Sequence, residues 1–211
     1  MHEQERILVI SPHTDDGELG AGGSISRWCE EGKNIYYVAF STAEQSVPTG
    51  FPKDILKTEV VKATSELGIL KDNVILFNYE VRKLNYVRQN ILEDLVYIRK
   101  EINPDRVLIP CLSDIHQDHT TVASEALRAF KNKTMLSYEL IWNNIAFNCH
   151  SFVVLNKSHI ERKILSLSMY ESQKGRAYMS GEFITALART RGVQIGVDYA
   201  ETFEVVRWIQ E

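Results

Sequence analysis

The run Ile7–Ile10 constrains this chain more than any other feature. ILVI is continuous, apolar and rich in β-branched residues, so it predicts a strand buried on both faces, as in a parallel sheet covered by helices. Pro12 ends the run, and the next four positions include His13, Asp15 and Asp16. Gly17, Gly20, Gly22 and Gly23 follow within a helical pattern that carries Ile25, Trp28 and Cys29. Open α/β sheets bind ligands outside the carboxyl ends of their strands, which makes this junction a candidate site. Helix capping would explain one of the two aspartates, but not two beside a histidine. The glycines are not in dinucleotide-binding order, and Asp15 and Asp16 would repel a pyrophosphate. Close packing of helix on strand is the reading they support.

The alternation continues. IYYVAF within Asn34–Ser41 predicts a second buried strand, and Thr42–Pro52 a loop. Ile55, Leu56, Val60, Ala63 and Leu67 predict a helix over Asp54–Leu67, terminated at Gly68. Val74–Phe77 reads as a third strand, Tyr86–Ile102 as a helix with its apolar face at Ile91, Leu95, Ile98 and Ile102, and Arg106–Pro110 as a fourth strand. Helices are expected over Thr120–Phe130, Ile160–Glu171 and Phe183–Arg191, and strands over Met135–Ile141, Phe152–Leu155 and Thr202–Trp208. The expected fold is a single-domain, Rossmann-like α/β fold spanning residues 1–211. Its doubly wound, mostly parallel sheet carries helices on both faces. In the strand order 3-2-1-4-5 the first and fourth strands are neighbours at the switch point. The fourth is followed by CLSDIHQDH, so Asp114, His116, Asp118 and His119 should meet His13, Asp15 and Asp16.

Composition narrows the partners. A net charge of −4 over 211 residues gives no basic stripe for nucleic acid, and no apolar run reaches the length of a membrane span. The polar start MHEQER does not read as a signal peptide, and His2 within it is expected to be solvated. Cys29, Cys111 and Cys149 have no framework spacing and fit reduced thiols, hence a cytoplasmic location.

Histidine and aspartate in two converging clusters suit a catalytic zinc, which takes three protein ligands and keeps one position open. His13, Asp16 and one of His116 or His119 would supply the set. Asp15, beside a ligand but not needed as one, is placed to take a proton from water. The remaining histidine would donate to an oxyanion, and Asp118 would orient an imidazole.

At this point the residues resemble a family. Pro12-His13-Thr14-Asp15-Asp16 and His116-Gln117-Asp118-His119 resemble the PHPDD and HPDH signatures of the LmbE-like, or PIG-L, zinc-dependent N-acetylglucosaminyl deacetylases. LKTEVVKATSELGI, Tyr170-Glu171-Ser172-Gln173 and ARTRGVQIGVDYAETFEVVR are also similar to the family's helix, late element and C-terminal segment. The resemblance implies Zn2+ held by His13, Asp16 and His119, with Asp15 as general base. It also implies His116 as oxyanion stabiliser or acid, and Asp118 as the orienting carboxylate. The implied reaction is hydrolysis of an N-acetyl group from a small amino sugar or sugar conjugate. Thr14 and Gln117 replace the usual prolines. Lys57 stands where the family often has a substrate-binding arginine, and lysine lacks the bidentate fork. The segment Trp142–Leu155 departs from the family pattern; it is read as either a substrate wall or a subunit interface, which leaves a homo-oligomer open.

Lys57, Glu44, Arg82 and Asn143 are the candidate substrate contacts, with Asn144 and Arg176 considered beside them. Cys149, His150 and His159 lack paired metal-ligand spacing, and Cys111 reads as a buried thiol. Two rival functions keep the same residues: an amidase acting on a larger sugar conjugate, and a non-catalytic sugar-binding module that retains the metal. The base at Asp15 argues against the second, since binding alone needs none.

Overall fold

The computed structural model describes residues 4–210, so the expectation for His2 falls outside it. Among the described residues, seven strands and six α-helices alternate as far as β5 and then run β6, α5, α6, β7: β1 (Arg6–Ser11), α1 (Asp16–Glu30), β2 (Asn34–Ala39), α2 (Ile55–Glu66), β3 (Val74–Leu76), α3 (Arg88–Ile102), β4 (Arg106–Pro110), α4 (Gln117–Ala129), β5 (Thr134–Tyr138), β6 (Ser151–Leu155), α5 (Lys157–Ser168), α6 (Gly181–Gln194) and β7 (Tyr199–Arg207). The sheet order is β3-β2-β1-β4-β5-β7-β6. The first five strands are parallel, β7 runs antiparallel to β5, and β6 runs antiparallel to β7. The mostly parallel, doubly wound sheet is therefore as the alternating pattern implies, with β1 and β4 paired at its centre through Ile7↔Arg106 and Leu8↔Val107.

Period-two alternation divides β1 between two cores. Ile7 and Val9 pack with Leu19, Ile25, Val60, Ile160 and Ile184 under α1, α2, α5 and α6. Leu8 and Ile10 pack with Ile91, Leu95, Val122 and Ala126 under α3 and α4. Both faces are dry, which is why the strand reads as an unbroken apolar run. The glycines of α1 let it lie directly on the sheet: a Cβ at Gly20 would stand 2.3 Å from Tyr138 Cδ2. Tyr138 uses that space to reach back to the Ile10 carbonyl, donating its hydroxyl at 3.0 Å.

α1 is also gripped from β7 and α5. Glu201 accepts from the amides of Gly23 (3.0 Å) and Ser24 (2.7 Å), while Lys163 donates to the Leu19 carbonyl (2.7 Å) and to Glu201 (2.7 Å). Leu19 and Gly23 are one α-helical rung apart, so a buried ion pair sits astride that rung.

Two boundaries differ from expectation for a local reason. α4 starts at Gln117, three residues before the expected Thr120, because His116 is its N-cap: its Nδ1 accepts the Asp118 amide at 3.2 Å. The cluster expected on a loop is therefore partly helical. β5 ends at Tyr138 rather than Ile141, where Leu140 turns the chain by accepting from Asn143 and Asn144.

Candidate active site

His13 follows β1, Asp16 is the first residue of α1, and His116 and His119 lie at the start of α4. Because β1 and β4 are neighbours, the two loops open on the same side of the sheet. Three atoms converge: His13 Nδ1 lies 3.2 Å from Asp16 Oδ2, His119 Nε2 lies 3.3 Å from the same oxygen, and the two ring nitrogens are 3.2 Å apart. A tetrahedral ion with bonds of about 2.0–2.1 Å would need donor separations of roughly 3.3 Å, so the triangle fits one. His13, His116 and His119 also present nitrogens within 4.8 Å of one another, a looser alternative set.

The opposite nitrogen of each converging ring is occupied. Asp118 Oδ2 lies 3.0 Å from His13 Nε2, and Asp114 Oδ2 lies 2.8 Å from His119 Nδ1. Each carboxylate fixes its ring's tautomer and leaves the other lone pair facing inward. Asp118 does more than orient a ring. It also accepts the amides of Arg82 (2.6 Å) and Leu84 (3.3 Å), which holds Arg82 at φ +67°. A non-glycine residue in the left-handed region is uncommon, and here its backbone is pinned to the site. Asp114 stands in the second sequence cluster, but its spacing to His119 gives no signal of this contact until the loop is folded.

Electrostatics agree with a cation site. Burial works against charge on His13 and His119, yet Asp16 and the carboxylates behind the rings push them up to about 9 and about 10. Burial opposes ionisation of Asp16 too, but the two imidazoles hold its carboxyl well below the usual range. With no ion bound, protons supply the positive charge that a dication would bring. Asp15 is half-buried, and burial together with the neighbouring Asp16 pushes it up to about 6. His116 is shifted the other way, by burial and then by the two nearby imidazoles, so it stays neutral. Its Nδ1 accepts the Asp118 amide, so a neutral His116 carries its proton on Nε2.

These groups line a cavity of about 330 Å3. His13, Asp15, Asp16, His116 and His119 form one end, and Arg82, Trp142, Asn143, Gln173, Arg176 and Tyr178 form its walls. Trp142 stacks on Tyr178 with ring centroids 4.2 Å apart; Trp142 and Asn143, the first two residues of the unmatched segment, lie on the wall. Gln173 is set by α2, because Glu59 accepts the Ser172 amide and hydroxyl (2.9 and 2.6 Å) and Ser172 Oγ accepts from Gln173. Tyr170 and Tyr37 run beneath the floor, each donating to the Thr14 carbonyl and touching the buried Glu18.

Of the candidate substrate contacts, Arg82 and Asn143 line this cavity. Lys57 and Glu44 are not among its lining residues; they pair with each other at 2.7 Å, Glu44 from the short 3₁₀ turn Glu44–Ser46 and Lys57 from the start of α2. Tyr178 was not anticipated, because an aromatic in a short 3₁₀ turn has no periodicity to mark it. Cys149 and His150 are not gathered with His159, which pairs instead with Glu30 at 2.8 Å.

A family model described as PIG-L, GlcNAc-PI de-N-acetylase, matches residues 8–130. Diacetylchitobiose deacetylase of Thermococcus kodakarensis is 28% identical over 114 residues, an alignment covering 52% of this chain and 42% of that relative. This chain thus matches less than half of that relative's length. An N,N'-diacetylchitobiose deacetylase from Pyrococcus horikoshii, solved with an inhibitor, superposes with a TM-score of 0.80 at 21% identity, over 97% of this chain and 84% of that one. GalB, the 4-carboxy-2-hydroxymuconate hydratase of Pseudomonas putida, superposes equally well: TM-score 0.80 at 20% identity, over 99% of both chains. The fold is thus shared by proteins named for different reactions, and the site must decide the chemistry.

Proposed function

Since the chain belongs to the GlcNAc-PI de-N-acetylase (PIG-L) family, we propose that it is a zinc-dependent hydrolase that removes an N-acetyl group from an amino sugar or sugar conjugate. One observation carries the reading: the 3.2–3.3 Å triangle of His13, Asp16 and His119 has an uncommitted carboxylate, Asp15, directly beside it in the same cavity. Two nitrogens and one oxygen are the donor set of a catalytic zinc. When bound, such an ion supplies Lewis acidity, acidifying water and polarising an amide carbonyl.

The chain's own groups do the rest. Asp15 takes the proton from the attacking water onto its carboxylate and holds it within reach of the departing nitrogen. His116 donates its Nε2 proton as a hydrogen bond to the amide oxygen as negative charge develops there. Asp118 and Asp114 keep His13 and His119 in the tautomers that face inward. Returning the proton to the nitrogen breaks the C–N bond and releases acetate and a free amine. The Trp142–Tyr178 pair offers an apolar face of the kind a pyranose ring stacks on.

Acetate and primary-amine release from N-acetylglucosaminides, assayed with and without a chelator, tests the proposal. Hydrolysis that stops on chelation and returns with added zinc is expected. Undiminished hydrolysis after metal removal would overturn it.

A further inference from the structure

Tyr37 and Tyr170, both fully buried beneath the cavity floor, have no part in the chemistry above. Their hydroxyls end on one acceptor, the Thr14 carbonyl, at 2.9 and 2.7 Å. Thr14 lies between β1 and α1, and no backbone amide among the described residues bonds its carbonyl. A buried carbonyl needs a donor, but one phenol would suffice. Two arrive, one from β2 and one from the segment after α5. Their neighbours aim them. The oxygen of Tyr37 accepts from Ser11 Oγ (2.8 Å) and from the Gly17 amide (3.2 Å), which turns its own proton away from both. The fully buried Glu18 carboxyl sets one oxygen against each phenol, Oε2 against Tyr37 and Oε1 2.8 Å from Tyr170, and so spaces the two hydroxyls beneath Thr14.

The other end of the same peptide faces the site. The Thr14 carbonyl and the Asp15 N–H belong to one planar unit and point in opposite directions. The Asp15 carboxylate takes a hydrogen bond from this N–H, and no other residue among the described residues donates one to it. Asp16 is held differently: it accepts the His13 amide at 2.8 Å and lies against both imidazoles. The peptide after Asp15 is fixed as well, its carbonyl accepting the Leu19 amide at 3.0 Å. The free carboxylate therefore draws its position from the Thr14–Asp15 peptide, and that peptide draws its own from the two phenols. Hydrogen bonds at the carbonyl also polarise the amide and strengthen its N–H as a donor.

We infer that Tyr37 and Tyr170 are positioning residues for Asp15: they clamp the Thr14 carbonyl from below and so set the N–H that holds the carboxylate of the base. The inference rests on the deacetylase reading for the role of Asp15 as base, but not for the placement of its carboxylate. Neither phenol bonds to His13, Asp16 or His119, and neither lines the cavity. Loss of a hydroxyl should reach the reaction through Asp15.

Tyr37→Phe and Tyr170→Phe delete the hydroxyls and keep the rings; they are made singly and together, in the parent and in Asp15→Asn. On zinc-loaded protein with the methyl glycoside of N-acetylglucosamine, the double variant should lose roughly 10- to 100-fold in kcat, the cost of a reacting group displaced by about 1 Å. KM and zinc content should not change. In Asp15→Asn the same pair should cost nothing further, since residues acting through one another are not additive. Should the double variant not fold, each single variant carries the same comparison. Equal losses in both backgrounds, or a loss of zinc, would overturn the inference, because the hydroxyls would then serve the fold at large or the ion triangle. Crystal structures of the zinc-loaded parent and double variant need no turnover. They should superpose at His13, Asp16 and His119 and differ at the Asp15 carboxylate; a carboxylate in the same place would overturn the inference whatever the rates. A parent that hydrolyses no N-acetylated sugar would sink the deacetylase reading and leave the displacement of that carboxylate to decide the clamp.

Discussion

At the residue scale the site separates groups placed to hold an ion from a carboxylate left free beside them. Asp16 and Asp15 are adjacent, yet one sits in the 3.2–3.3 Å triangle and the other faces the cavity beside it. Asp15→Asn keeps size and one hydrogen-bonding oxygen but removes basicity. We expect normal folding and zinc content with kcat lowered by roughly 10²–10⁴; a parent-rate variant would pass the base to another group. The two ligand sets are separated by His116→Ala. If Asp16 completes the set, this variant keeps its zinc by elemental analysis while kcat falls by roughly 10²–10³. Loss of metal would favour the three-histidine set instead. Asp114→Asn addresses support alone: the ring of His119 keeps a hydrogen-bond acceptor but loses the charge behind it. Zinc affinity should weaken by about 10–100-fold in a competition titration. His13, Asp15, Asp16, His116, Asp118 and His119 were all legible in the sequence, because two short clusters carried them. The partner of each carboxylate was not. That Asp118 serves His13, 105 positions away, and Asp114 serves His119 follows from side-chain directions that no spacing encodes.

At the scale of elements, α1 matters most, because its N-terminus carries Asp16 and its body fills the sheet face. The buried Lys163–Glu201 pair holds it at Leu19, Gly23 and Ser24. Lys163→Met leaves Glu201 charged, buried and facing helix amides only. A loss of about 3–5 kcal/mol in urea unfolding is expected, the usual cost of breaking a buried pair from one side. A double replacement by apolar residues should recover much of it, and a single variant as stable as the parent would show the pair to be dispensable. Through β4 the helices were readable from their apolar period and the strands from continuous β-branched apolar runs. The start of α4 was not, since an imidazole cap is outside the usual capping residues. Lys57 and Glu44 pair with one another at 2.7 Å, a contact that their positions along the chain do not reveal.

For the whole molecule, the parallel order β2-β1-β4 brings His13 and His119 together across 106 positions. A ligand bound only to the assembled site must stabilise the fold by mass action, about 2.7 kcal/mol at a hundredfold excess over Kd. For a domain of this size that is a rise in Tm of roughly 5–10 °C. Zinc added to stripped protein should produce it, and His13→Ala should abolish it; an unchanged Tm in the parent would argue against a single site built from both strands. One division of labour remains. The matched stretch 8–130 contains every residue of the triangle and its supports, whereas Trp142, Gln173, Arg176 and Tyr178 come from beyond it. Apart from Arg82, the walls named above thus come from later in the chain than the triangle. Exchanging those later segments between relatives should change what the cavity admits while leaving the triangle and its supports in place.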